Sequence, residues 1–179
     1  MRHKYHTRAF VLTRAPLGEA NALVVLLTEE VGLVRARAQG LRKPGAKLAS
    51  ALATFAESDL TLVRGAGGWR VAGALLQENW FSHLGSTARD RAARISGLLL
   101  RLLPGEATDP RTFSLMQETF NAFSKEPELL HDGIECRTVL SLLSLLGLDD
   151  GRIPDLVEMD QERSPVIARI NRGIALSGL

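Results

Sequence analysis

The residues with chemistry to offer are basic. Arg35, Arg37 and Gln39 alternate with Val34, Ala36 and Ala38 along the run Leu33–Gln39. At period two the first three share one face of an extended strand and the second three share the other. Arg42, Lys43 and Lys47 follow in the loop Gly40–Lys47, and Arg14 and Arg70 join them if their strands are neighbours. Cations gathered on one surface bind phosphates and release condensed counterions, which gives affinity without sequence preference. The same pattern also describes a solvated strand face that feeds a basic loop.

Other chemistries lack their residues. Gly65-Ala66-Gly67-Gly68 has neither the Lys-Ser or Lys-Thr nor the following helix of a phosphate cradle, and reads as a hairpin turn. His3 and His6 have no carboxylate beside them, so they make no metal set. Neither serine nor cysteine sits in a nucleophile elbow. Glu29-Glu30 and Asp149-Asp150 are paired carboxylates, but both lie in turn or loop contexts. Cys136 is the single cysteine, which excludes an internal disulfide and any multi-cysteine metal site. It sits in an apolar helical run and is expected to be a small buried hydrophobe. The expectation is a protein with no catalytic residue, metal or cofactor.

Charge is unevenly spread. Residues 1–80 carry eleven Lys/Arg against six Asp/Glu, a net +5, while the remainder carries eleven against fourteen, a net −3. A basic half joined to an acidic half suggests two modules with different partners. The N-terminus Met-Arg-His-Lys-Tyr-His lacks an apolar signal core, and no apolar run approaches the ~20 residues that span a bilayer. A soluble, cytoplasmic location is expected.

The basic residues must be held by short strands. His6–Arg14 and Ala22–Thr28 are apolar runs, separated at Pro16-Leu17-Gly18-Glu19. Glu29–Gly32 predicts a hairpin turn into Leu33–Gln39. Leu48–Thr54 is Ala-rich and predicts a helical turn or two, Phe55–Arg64 alternates again, and Trp69–Trp80 predicts a fifth strand. Five short strands at this spacing suggest a small barrel or sandwich. Most of Tyr5, Phe10, Phe55, Trp69 and Trp80 are more suited to its core than to stacking on bases.

The period turns helical near Ser82. Ser86 or Thr87 is expected to cap a helix through Ile95, Leu98, Leu99 and Leu102, ended by Pro104-Gly105. Asp109-Pro110 opens a helix bearing Phe113, Met116, Phe120 and Phe123, a stripe expected to be core. Ile134–Leu146 is the most apolar segment, with Gly147 as its C-terminal cap. Asp149–Arg163 is expected to be a loop, and Ser164-Pro165 to start a last helix through Ile167, Ile170 and Ile174.

Several segments of the first half resemble RecO-family recombination mediators. They are Val11–Asn21 (VLTRAPLGEAN), Leu26–Ala36 (LLTEEVGLVRA) and Ala38–Pro44 (AQGLRKP), in the family's order. The resemblance covers residues 6–80 and is weaker beyond, where Leu142–Gly147 looks like the family's late apolar helix. It implies an α+β protein, with an OB-fold over 1–81 as the DNA-binding domain and a helical domain over 82–179. It implies binding of single- and double-stranded DNA, annealing of strands, and a part in loading recombinase onto DNA coated by single-strand binding protein. Its implied protein partners are RecR and the acidic, Phe-ended tail of the single-strand binding protein. Carried to this chain, the DNA-binding residues are Arg14, Arg35, Arg37, Arg42, Lys43 and Lys47.

Two departures stand out. Many members carry a four-cysteine zinc site after the apolar helix, where this chain has Asp149-Asp150-Gly151-Arg152 and no cysteine. The helical part is also expected to be shorter than in typical members. The alternative of a different class is a protein-interaction module, in which the barrel is a scaffold and the helices carry the partner.

Overall fold

The computed structural model describes residues 3–103, 105–106 and 108–178. Strands β1 (His3–Leu17), β2 (Asn21–Thr28), β3 (Gly32–Ala38), β4 (Ala56–Gly65) and β5 (Gly68–Asn79) come first. Helices α1 (Trp80–His83), α2 (Ser86–Leu102), α3 (Arg111–Lys125), α4 (His131–Leu145), α5 (Leu156–Gln161) and α6 (Arg163–Leu176) follow, with a 3₁₀ turn at Glu128–Leu130. The architecture is α+β: a five-stranded, OB-fold-like N-terminal barrel and then helices. By their contacts, Met1–His83 and Pro104–Phe113 form one compact unit, and Leu84–Leu103 and Ser114–Leu179 form a second.

The strands close in the order β1-β2-β3-β5-β4. Closure depends on the length of β1, which pairs with β4 through His3–Phe10 and with β2 through Ala9–Leu17. A bulge between Val11 and Thr13 marks the stretch where it passes from one partner to the other. Ala9, Val11, Val24, Leu26, Val34, Ala36, Leu60, Leu62 and Val71 belong to the barrel core, and Leu41 and Leu52 join it from the β3–β4 connection. Phe10 faces outward yet is fully buried, because Phe113 packs on it with ring centroids 4.9 Å apart.

In the helical unit, α4 packs against α2, α5 and α6. Its apolar surface is nearly continuous, with Ile134, Leu140, Leu142 and Leu143 all buried. The Met116, Phe120 and Phe123 stripe of α3 is buried, as expected of a core stripe. Gly147 takes φ +70 after α4, and the Leu148 N–H donates to the Leu143 carbonyl at 2.8 Å, closing the expected cap. Asp149, in the loop after α4, holds Arg169 at 2.6 Å.

Several local expectations are corrected. Pro16 and Leu17 extend β1 rather than ending it, since β1 has no β4 neighbour beyond Phe10 and an edge tolerates proline. Residues 48–54 form successive turns, not helix. Trp80 starts α1, where its indole N–H donates to buried Glu57 at 3.0 Å. Ser86 lies inside α2 and Gly85 holds the N-cap position, with no side-chain cap bond. The stretch Asp149–Arg163 contains α5: the Asp155 carboxylate accepts from the Val157 and Glu158 N–H groups, and Glu158 accepts from the Asp155 N–H, each at 2.9 Å. That reciprocal box starts a helix in a stretch too polar to show a core-facing stripe.

Candidate nucleic-acid interface

The ladder registers decide which side chains share a face. Arg37 pairs with Leu23 on β2, Leu23 with Ala15 on β1, and Arg37 on its other side with Arg70 on β5. Arg70 pairs with Val63 on β4, and Val63 with Lys4 at the start of β1. Paired residues project to the same side of a sheet, so one row crosses the outer surface and carries Lys4, Arg70 and Arg37. Arg35, two residues from Arg37, stands on the same outer face. The alternation read for β3 is borne out, with Arg35 and Arg37 exposed and Val34, Ala36 and Ala38 buried.

Arg14 falls in the other set. It pairs with Val24, which pairs with Ala36, and both fill the barrel interior. Arg14 is nonetheless exposed, so its side chain emerges at the rim. There it lines a depression of about 370 Å³ with Pro16, Leu41 and Arg42.

Arg42 connects the two groups. Its Nη1 donates to the Gly18 carbonyl at 2.6 Å, and its backbone N–H donates to the Ala20 carbonyl at 3.0 Å. The β3–β4 connection is thereby tied to the β1–β2 turn. Gly18 also borders a second depression, about 350 Å³, together with Asn21, Arg37 and Gln39. Arg37 and Gln39 then line a third and larger groove of about 510 Å³, bounded by the β4–β5 turn, Trp69 and Arg70. Lys43 and Lys47 are exposed on the connection, with the Lys43 N–H donating to the Gly40 carbonyl at 3.1 Å.

Among the described residues none of these six cations makes an ion pair, whereas Arg8 and Arg64 in the same unit do. Arg8 holds Glu29 at 2.7 Å and Arg64 holds Glu106 at 2.7 Å. The Arg8 guanidinium beside Glu29 keeps that carboxyl below the usual carboxylate range. Glu106 also accepts from the Trp69 indole N–H at 2.9 Å, and Arg64 lies 5.3 Å over the Trp69 ring. Trp69 is thus partnered and only 7% exposed, so it serves as wall rather than as a stacking platform.

The strand pattern does not single out Lys4, and it includes Arg70 only on a condition. Arg70 depended on which strands are neighbours, and Lys4 on closure of the barrel through the first residues of β1. In the helical unit, burial pushes the Cys136 thiol up, consistent with an inert, partly buried side chain.

A closed five-stranded barrel with cations on its outer face and rim, followed by a helical unit, is an OB-type module joined to an all-helical one. Its strands match a known family model: residues 1–72 fit the one described as recombination protein O N terminal. A DNA repair protein RecO of Dehalococcoides mccartyi (strain 195) is 29% identical over 118 residues, 65% of this chain and 47% of that protein. The RecO of Acaryochloris marina is 46% identical over 65 residues, 36% of this chain and 22% of that protein. That of Gloeobacter violaceus is 44% identical over 61 residues, 34% and 23%. Residues 1–72 are therefore similar to the N-terminal part of RecO proteins. The chain's matches span about half the length of such relatives or less.

Proposed function

We propose that this chain is a non-catalytic recombination mediator in DNA repair, and that its barrel unit binds DNA through Arg14, Arg35, Arg37, Arg42, Lys43 and Lys47. The observation that carries the reading is the exposure of all six cations, three of which (Arg14, Arg37 and Arg42) line depressions on the barrel, with no described carboxylate neutralising any of the six. Cations already held by carboxylates have less to gain from a phosphate, while free ones exchange condensed counterions for the protein.

The contacts are to backbone phosphates, so both single and double strands bind and sequence matters little. A surface that holds two complementary strands loosely supports their annealing. The relatives named above are DNA repair proteins, and that role is extended here to this chain. The further reading is that it helps load recombinase onto DNA coated by single-strand binding protein. Its protein partners would be a RecR-type protein and the C-terminal tail of the single-strand binding protein.

The test is anisotropy of a labelled single-stranded oligonucleotide, titrated with the protein and with an Arg35→Ala/Arg37→Ala/Arg42→Ala/Lys43→Ala variant at low and moderate salt. Binding that weakens with salt at a slope of about −3, as expected for roughly four neutralised phosphates, and that the variant loses, supports the reading. No binding at low salt overturns it and favours the protein-interaction module.

A further inference from the structure

We propose that the groove between β3 and the β4–β5 turn is a single-strand-selective subsite, in which Arg37 and Arg70 hold one phosphate and the recess beside them takes an unpaired nucleotide. The inference rests on the DNA-binding reading above and adds to it a residue, Arg70, and a strand preference.

The first observation is a juxtaposition of like charges. β3 meets β5 in parallel at just two register positions, Ala36 with Trp69 and Arg37 with Arg70. Neighbouring strands lie about 4.8 Å apart, so two guanidinium groups leave the same face side by side. Neither forms an ion pair among the described residues. Such a pair repels itself, and an anion bridging both would relieve the repulsion through paired N–H donors.

The second is the shape beside that pair. The two strands pair only at those two positions, and the 510 Å³ groove beside them runs from Arg37 and Gln39 of the β3 end to Arg70 and the β4–β5 turn. Val63 and Trp69 give it apolar wall, Gln39 gives an amide, and Gly65–Gly68 border it with bare backbone. A Cβ added at Gly65, Gly67 or Gly68 would meet no heavy atom within 4 Å, so nothing crowds that border. Backbone without side chains allows close approach of a ligand.

These features favour a single strand. A duplex presents its phosphates on a convex surface and keeps its bases stacked, so it reaches outward cations such as Arg35 but enters a recess only at the cost of unstacking. A single strand turns a base inward freely, and Arg70 offers a planar cation to lie against it.

The test measures anisotropy with a single-stranded oligonucleotide and with the duplex of the same sequence, over a range of salt. Four proteins are compared, each checked for an unchanged melting temperature: the unaltered chain, Arg70→Ala, Gly67→Leu and Arg35→Ala. Arg70→Ala is expected to weaken single-strand binding about fivefold and to flatten its salt slope by about 0.7, with duplex binding changed less than about twofold. Gly67→Leu, which is not in the left-handed region and adds atoms to open space, is expected to weaken single-strand binding without altering the slope. Arg35→Ala is expected to weaken both forms alike. Equal losses for both DNA forms with Arg70→Ala, or no loss at all, overturn the subsite while the quadruple variant's loss keeps the DNA-binding reading. Failure of the unaltered chain to bind either form overturns both.

Discussion

The Arg42 guanidinium donates to the Gly18 carbonyl at 2.6 Å and so joins the β3–β4 connection to the β1–β2 turn. A carbonyl leaves the guanidinium's charge intact, so Arg42 holds the rim in place and remains a cation there. Arg42→Ala and Lys43→Ala each remove one charge, but only the first also releases the connection. Arg42→Ala is therefore expected to cost more DNA affinity than Lys43→Ala, although both flatten the duplex salt slope by about one. Salt-dependent anisotropy titrations of the two variants check this. Equal losses would mean that the tie contributes nothing to the binding face.

Gly32 opens β3 at φ +91, and a Cβ built on it would lie 2.6 Å from the Thr108 backbone nitrogen. Gly32→Ala combines a strained backbone with a clash against main chain, and is expected to cost about 2–3 kcal/mol. Gly18 has a similar φ of +66 but open space around it. Gly18→Ala is expected to cost about 1 kcal/mol, from the backbone strain alone. Denaturant unfolding of the two variants measures the difference, which should favour Gly18→Ala.

Arg8 grips Glu29 through Nε at 2.9 Å and Nη2 at 2.7 Å. The pairing lowers the carboxyl's pKa in the folded chain, through the hydrogen bonds from Arg8 first and despite partial burial. The unfolded chain then binds the proton more readily. The contribution of Glu29 is present above the ordinary carboxylate range and is lost as pH falls through the folded value. Both side chains are more than a third exposed, so solvent screening limits it to about 0.5 kcal/mol. Glu29→Gln should lower stability at neutral pH by about that amount, and the difference should vanish near pH 2. Urea melts at the two pH values test this, and a difference that persisted in acid would refute the charge argument.

Much of the barrel was legible because its strands alternate. Arg35 and Arg37 against Val34, Ala36 and Ala38 in β3 is a pattern that only a half-buried strand satisfies. The stripe from Phe113 to Phe123 was equally plain, since four large apolar residues at spacings of three and four lie on one helical face. What stayed hidden follows from pairing between distant segments. Arg70 comes beside Arg37 through a parallel contact of two residues, and no local pattern encodes which strand a barrel closes upon. Arg14 was grouped with Arg35 and Arg37, yet its register places it at the rim, because the β1 bulge shifts the pairing between Val11 and Thr13. α5 escaped for a different reason: its only clear mark is the spacing of Asp155 and Glu158, which a surface loop also allows.

That spacing can be tested directly. Asp155→Ala removes the acceptor for two N–H groups of α5, and should speed amide hydrogen exchange across α5 about fivefold. Glu158→Gln keeps a group able to accept from the Asp155 N–H, and is expected to speed it less. Exchange followed by mass spectrometry on peptides covering 150–165 reads both. Identical protection in the Asp155→Ala variant would show that packing of Met159, not the cap, holds the helix.

Phe113 belongs with the barrel, although α2 intervenes in the chain. The two units are interleaved, and neither is one uninterrupted stretch of sequence. A gene fragment stopped after His83 would leave Phe10 without the ring that covers it, and Leu33 without the Gly105 carbonyl that its N–H meets at 3.0 Å. On the ribosome the same order means that five strands emerge well before the residues that seal their outer side. The barrel must wait, partly uncovered, until the first long helix has been made.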